Sequence, residues 1–108
     1  HQDPDVLIVQ EWLEANYRQR IAVSDLPTLV NLTLRTFTRR FKKATEQNPL
    51  EYLQILRMDA AKKQLETRRD SIERIVNQVG YDDLSSFTRL FKKHTGLSPS
   101  QYTKKFKR

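Results

Sequence analysis

The sequence predicts an all-α chain of seven helices, arranged as two tandem helix-turn-helix subdomains joined by a long linker helix. Three observations predict it: only two glycines in 108 residues, apolar residues recurring at helical spacing, and a sixteen-residue segment that returns at an offset of 50. Glycine averages about 7% of residues, so a chain this poor in it favours long helices with short connections over a turn-rich β fold. A chain of this length forms one domain, or two very small subdomains that share a helix.

The first helix is expected over Asp3 to Asn16, with Asp3 as cap, Pro4 in the first turn, and Val6, Val9, Trp12 and Leu13 on one stripe that Leu7 and Ile8 widen. Ser24 is the expected cap of a second, short helix with Leu26, Leu29 and Val30 inward and Pro27 in its first turn, where a missing N–H costs little. Asn31 ends it, because Asn tolerates the left-handed conformation. Thr33 caps a third helix over Leu34 to Ala44. A fourth, long helix follows from Leu50 to Glu66, burying Leu53, Leu56, Ala60, Ala61 and Leu65. Ser71 caps a fifth through Val79, stopped by Gly80, and Asp83 caps a sixth to Thr95, stopped by Gly96. A short seventh starts near Pro99. The subdomain boundaries fall at about 5–49, 50–66 for the linker helix, and 67–106.

The repeat pairs FTRRFKKATEQNPLEY, residues 37–52, with FTRLFKKHTGLSPSQY, residues 87–102, at nine identities in sixteen. Two copies of short helix, tight turn and basic helix are what a duplicated helix-turn-helix looks like. Charge follows the same division. The chain carries a net +7, yet residues 34–43 hold five cations and no acid, and residues 84–108 hold seven cations and no acid, while residues 1–33 and 44–83 are net acidic. Two acid-free basic blocks point to two contacts with a polyanion.

On a wheel turning about 100° per residue with Phe37 at the origin, Phe41 and Leu34 fall on the core side. Thr38, Lys42, Arg35, Arg39 and Lys43 fill the opposite side. The sixth helix repeats this, with Leu84, Phe87, Leu90 and Phe91 against Ser85, Thr88, Arg89, Lys92 and Lys93. Such a helix fits the major groove of B-DNA. Arg35, Arg39 and Arg89 suit two-pronged contact with guanine, and Thr38, Ser85 and Thr88 can donate or accept. Lys42, Lys43, Lys92 and Lys93 lie further along, where phosphate contact fits better. His94 is expected at the surface, and Lys104, Lys105, Lys107 and Arg108 read as a basic tail.

The segment VGYDDLSSFTRLFKKHTGLSPSQY, residues 79–102, resembles the signature of the C-terminal DNA-binding domain of AraC/XylS-family bacterial transcriptional regulators. LRMDAAKKQL, residues 56–65, is similar to that family's linker helix, and the likeness covers about residues 5–106. The opening DPDVLIVQEWLEANY, with RTFTRRFKKATEQNPLEYL, looks like the branch in which a PfpI-like, glutamine-amidotransferase-related domain precedes the DNA-binding part. The resemblance implies that the third and sixth helices enter two successive major-groove segments about 34 Å apart and bend the duplex. It places base reading on Arg35, Thr38, Arg39, Ser85, Thr88 and Arg89, with Leu84 beside them although its place on the wheel favours the core, and phosphate contact at the helix starts near Ser24 and Ser71. It also implies double-stranded DNA as partner, RNA polymerase as a contact of the full-length regulator, a monomeric fragment and a cytoplasmic setting. Three positions depart from the family pattern: Asn31 where Gly is common, Pro27 for a usual Ala, and Glu46 where the second repeat has Gly96.

Two other classes of function stay open on the sequence: a weakly specific or architectural DNA binder, and a helical module that docks acidic proteins. With no cysteine, no glycine-rich phosphate loop and no nucleophile–base pair in either repeat, the sequence gives no basis for an enzyme, a metal centre or a cofactor. No apolar run approaches membrane-spanning length. The chain opens at His1 rather than Met, which reads as part of a longer protein.

Overall fold

The computed structural model describes residues 1–67 and 69–107, so Arg108 of the basic tail lies outside the described residues. Among them stand six α-helices and one 3-10 helix, with no strand: α1 (Pro4–Asn16), η1 (Val23–Leu29), α2 (Leu34–Thr45), α3 (Pro49–Thr67), α4 (Ile72–Gln78), α5 (Leu84–Thr95) and α6 (Pro99–Phe106). The chain divides into two units, and the division falls inside α3, after Gln54.

In the first unit the Asp3 carboxylate accepts the N–H groups of Asp5 and Val6 at 3.1 and 3.2 Å and so caps α1, while Pro4 occupies the position where no donor is missed. Val6, Val9 and Leu13 of α1 are buried with Leu26, Phe37, Phe41 and Leu53. Leu7 and Ile8, expected to widen that stripe, remain about half exposed, so the buried face of α1 is the narrow one. The second unit has its own core, in which Met58, Ala61 and Leu65 of α3 meet Ile75, Val76 and Val79, and Phe87 and Phe91 of α5. Arg57 is also buried, its guanidinium 5.0 Å from the centre of the Tyr81 ring, a cation–π contact that apolar periodicity does not reveal.

The second element differs from its expectation. Ser24 does not cap it: the cap position is Ala22, with no side-chain hydrogen bond, and Ser24 lies exposed within a 3-10 turn. Pro27 is the physical reason. It sits in the middle of the segment rather than at its start, and a residue without an N–H cannot continue an α-helical ladder there. Leu26 is buried, but Leu29 stays 41% exposed. Asn31 follows at φ 55, the left-handed residue that turns the chain toward α2.

Asp3 does a second thing. Arg40 of α2 donates to it from Nε at 3.0 Å and from one terminal nitrogen at 2.7 Å, and reaches Asp5 at 3.0 Å. Chiefly through this hydrogen-bonded partner, the Asp3 carboxyl is held below its ordinary value of 3.8. Because the folded value is depressed, the stabilisation is complete above the unfolded value and is lost as pH falls through the folded one. Asp3→Asn is therefore expected to reduce stability at neutral pH and to leave a smaller difference between neutral pH and about pH 2 in acid titrations followed by circular dichroism. An unchanged titration would show that the pair contributes nothing.

Candidate nucleic-acid interface

The helices with the basic faces are built alike. Thr33 Oγ1 accepts the N–H of Thr36 at 3.2 Å and starts α2; the Asp83 carboxylate accepts the N–H groups of Ser85 and Ser86 and the Ser86 hydroxyl, and starts α5. Those three donors, the Ser86 hydroxyl foremost, hold the Asp83 carboxyl below its ordinary range. Each helix carries two buried phenylalanines with ring centres 5.6 Å apart, Phe37 with Phe41 and Phe87 with Phe91. The second of each pair meets a tyrosine from the next helix edge-on: Tyr52 at 5.4 Å and 84°, Tyr102 at 5.3 Å and 88°. These contacts fix the rotation of α2 and α5 about their axes.

The helix ends match as well. The Thr45 hydroxyl lies 2.8 Å from the Phe41 carbonyl and 2.9 Å from that of Gln47, and accepts the Gln47 N–H; Thr95 does the same with Phe91 and Leu97. The next residue is left-handed in both, Glu46 at φ 65 and Gly96 at φ 79, and its N–H reaches the carbonyl of Lys42 or Lys92 at 2.8 Å. Glycine adopts this conformation without penalty and glutamate does not. Glu46→Gly should accordingly stabilise the first unit by about 0.5–1 kcal/mol, and Gly96→Glu should destabilise the second by about 1 kcal/mol, read from urea midpoints. Opposite signs at matching positions are the expected result; equal signs would refute the strain.

The nine identities of the repeat now separate into two groups. Phe37, Phe41, Thr45, Pro49 and Tyr52, with their counterparts, pack the core, close the helix or start the next one. Thr38, Arg39, Lys42 and Lys43, with Thr88, Arg89, Lys92 and Lys93, do none of these. Arg39, Lys42, Lys43, Arg89, Lys92 and Lys93 are exposed, and Thr38 and Thr88 are half-buried at the flank. Arg35 and Ser85, one turn before Arg39 and Arg89, are exposed too. Among the described residues no ion pair engages Arg35, Arg39, Lys42, Lys43, Lys92 or Lys93.

Arg40 does not share that face despite belonging to the same basic run: Asp3 and Asp5 hold it, and its counterpart in α5 is Leu90. Leu34 and Leu84, expected in the core, are 50% and 38% exposed. Both are the first residue of their helix, and a helical side chain leans toward the N-terminus, so these two reach past the end of the core. His94, expected at the surface, is half-buried, with Nε2 enclosed and without a hydrogen-bond partner among the described residues. Ser71 caps α4 by accepting the Arg74 N–H at 3.2 Å and is exposed, as is Ser24 in η1. Among the described residues, no three His, Asp or Glu side chains gather as metal ligands, and no helix is long and apolar enough to cross a membrane.

Two units, each presenting a basic helix on the same short-turn frame, define a tandem helix-turn-helix protein. A family profile described as a helix-turn-helix domain matches residues 27–105, and the chain belongs to that family, the AraC-type helix-turn-helix domains of transcriptional regulators. The chain is 36% identical over 93 residues to the raffinose operon transcriptional regulatory protein RafR of Pediococcus pentosaceus, covering 86% of this chain and 34% of RafR. It is 34% identical over 102 residues to the lactose operon transcription activator of Staphylococcus xylosus, covering 94% of this chain and 37% of that protein. The chain thus spans about a third of the length of the curated relatives it matches. Among solved structures, the C-terminal domain of AraT, a response regulator from Geobacillus stearothermophilus, superposes with a TM-score of 0.93 at 24% identity, over 98% of this chain and 88% of that one. The DNA-binding domain of the transcriptional factor AdpA, solved in complex with a target DNA, gives 0.90 at 25% identity, over 96% and 94%.

Proposed function

We propose that this chain is a sequence-specific double-stranded DNA-binding domain in which α2 and α5 enter successive major-groove segments, as the DNA-binding part of a bacterial transcriptional regulator. The observation that carries the proposal is the second group of identities: two helices keep the same arginine and lysine pair on an exposed face that the core does not use, with the same half-buried threonine at its flank. Arg35, Thr38 and Arg39, with Ser85, Thr88 and Arg89, sit in the first turns and are assigned to base edges. Lys42, Lys43, Lys92 and Lys93, with Ser24 and Ser71, are assigned to the phosphates, where they set register without reading sequence. The AdpA domain, solved in complex with a target DNA, supports DNA as the partner: a domain of this fold meets DNA.

Residues 1–108 then act as one DNA-binding domain, monomeric on an asymmetric site, within a cytoplasmic protein whose remaining parts contact RNA polymerase. The opening segment DPDVLIVQEWLEANY favours the branch that carries an amidotransferase-related domain. Enrichment of duplexes from a random library, followed by fluorescence anisotropy against the enriched and a scrambled duplex at two salt concentrations, tests the main proposal. Strong preference for the enriched duplex, with affinity falling steeply as salt rises, is expected. Equal affinity for both would indicate an architectural binder, and no binding at low salt would turn attention to acidic proteins.

A further inference from the structure

Leu34 and Leu84 take no part in the core and carry no polar group for the assigned base or phosphate contacts. Other exposed apolar residues of the repeat are not matched between the copies: Leu29 answers to Val79, which is fully buried, and Leu50 to Ser100. Leu34 and Leu84, by contrast, stand at the same place in both, at the first residue of α2 and α5, and are exposed in both. Neither belongs to the core, and a polar residue would serve equally well at the first position of a helix. Each is followed directly by an outward residue, Arg35 or Ser85, and lies one turn before Thr38 or Thr88, so it borders the face assigned to base edges. In the major groove, the base edge offers one apolar group, the C5-methyl of thymine.

We infer that Leu34 and Leu84 are a matched pair of specificity-determining contacts, each packing its side chain against one thymine methyl at the entry of its helix into the groove. The inference rests on the major-groove reading above. It predicts a preferred thymine in each of the two half-sites, at equivalent positions relative to the bases met by Arg39 and Arg89.

The test uses the intact chain and its enriched duplex, with each thymine replaced in turn by deoxyuridine, which removes the methyl and keeps the hydrogen-bonding edge. At one thymine in each half-site, affinity should fall about 3- to 5-fold, the worth of one buried methyl-sized group. Leu84→Ala should erase that sensitivity in one half-site and Leu34→Ala in the other, while each leaves the opposite half-site sensitive. Since the replacement is made in the DNA, the unmodified protein gives the primary result and no variant need fold. A duplex whose affinity depends on Arg89 but is indifferent to every thymine methyl would overturn this inference alone. The same would follow if sensitivity persisted unchanged in both leucine variants. A library that yields no enriched sequence would overturn the major-groove reading and the inference together.

Discussion

Arg89→Ala should lower affinity for the preferred duplex by about 1–3 kcal/mol and flatten the preference at a single base pair. The cause is geometric. Arg89 is exposed on α5, and Phe87 and Phe91, held edge-on by Tyr81 and Tyr102 respectively, set the helix so that this side points outward. A guanidinium held there can form two parallel hydrogen bonds to guanine O6 and N7, and alanine replaces none of them. Arg39→Ala should do the same at a different base pair. Lys92→Ala makes the informative contrast: it should weaken every duplex by a similar factor and reduce the salt slope by about 1, as loss of one phosphate contact requires. If Arg89→Ala left base preference untouched while lowering affinity uniformly, Arg89 would belong to the phosphates instead.

Phe91→Ala should destabilise the second unit by about 3–5 kcal/mol, most of the stability a unit this small can hold. Phe91 is fully buried, stacks on Phe87 at 5.6 Å and meets the edge of Tyr102 at 5.3 Å, and its carbonyl lies against the Thr95 hydroxyl that closes α5. Removing the ring opens a cavity and also frees the rotation of the helix that bears Arg89. DNA affinity should therefore fall with folding, and lowering the temperature should restore part of both. Urea unfolding followed by circular dichroism measures the first, anisotropy the second. A loss under about 1 kcal/mol would show that the aromatic pair does not organise this unit.

The pattern of the fold was open to reading because each signal is local. Thr33, Ser71 and Asp83 cap the helices they precede, Asn31 is left-handed, and the repeat marks two equal frames. Where the reading failed, the deciding fact was not local. A charge pattern sees Arg40 as one more cation in a basic run, but Asp3, 37 residues away, claims it. A helical wheel puts Leu34 and Leu84 with the phenylalanines because it records angle and not height, and at the first turn the side chain leans beyond the core. Ser24 has the composition of a cap, yet Pro27 converts the segment to a 3-10 turn that starts without one. Arg57 is buried against Tyr81, a placement that apolar periodicity has no means of marking. The outward faces of α2 and α5 were legible for the opposite reason, since two aromatic anchors one turn apart define where the rest of a helix must point.

Hydroxyl-radical footprinting of the intact chain on its enriched duplex tests the two-helix claim most directly. Two protected windows on one face of the DNA, about one helical turn apart, are expected, with Arg39→Ala weakening protection mainly in one and Arg89→Ala mainly in the other. A single window, or two that weaken equally in both variants, would contradict the two-helix claim.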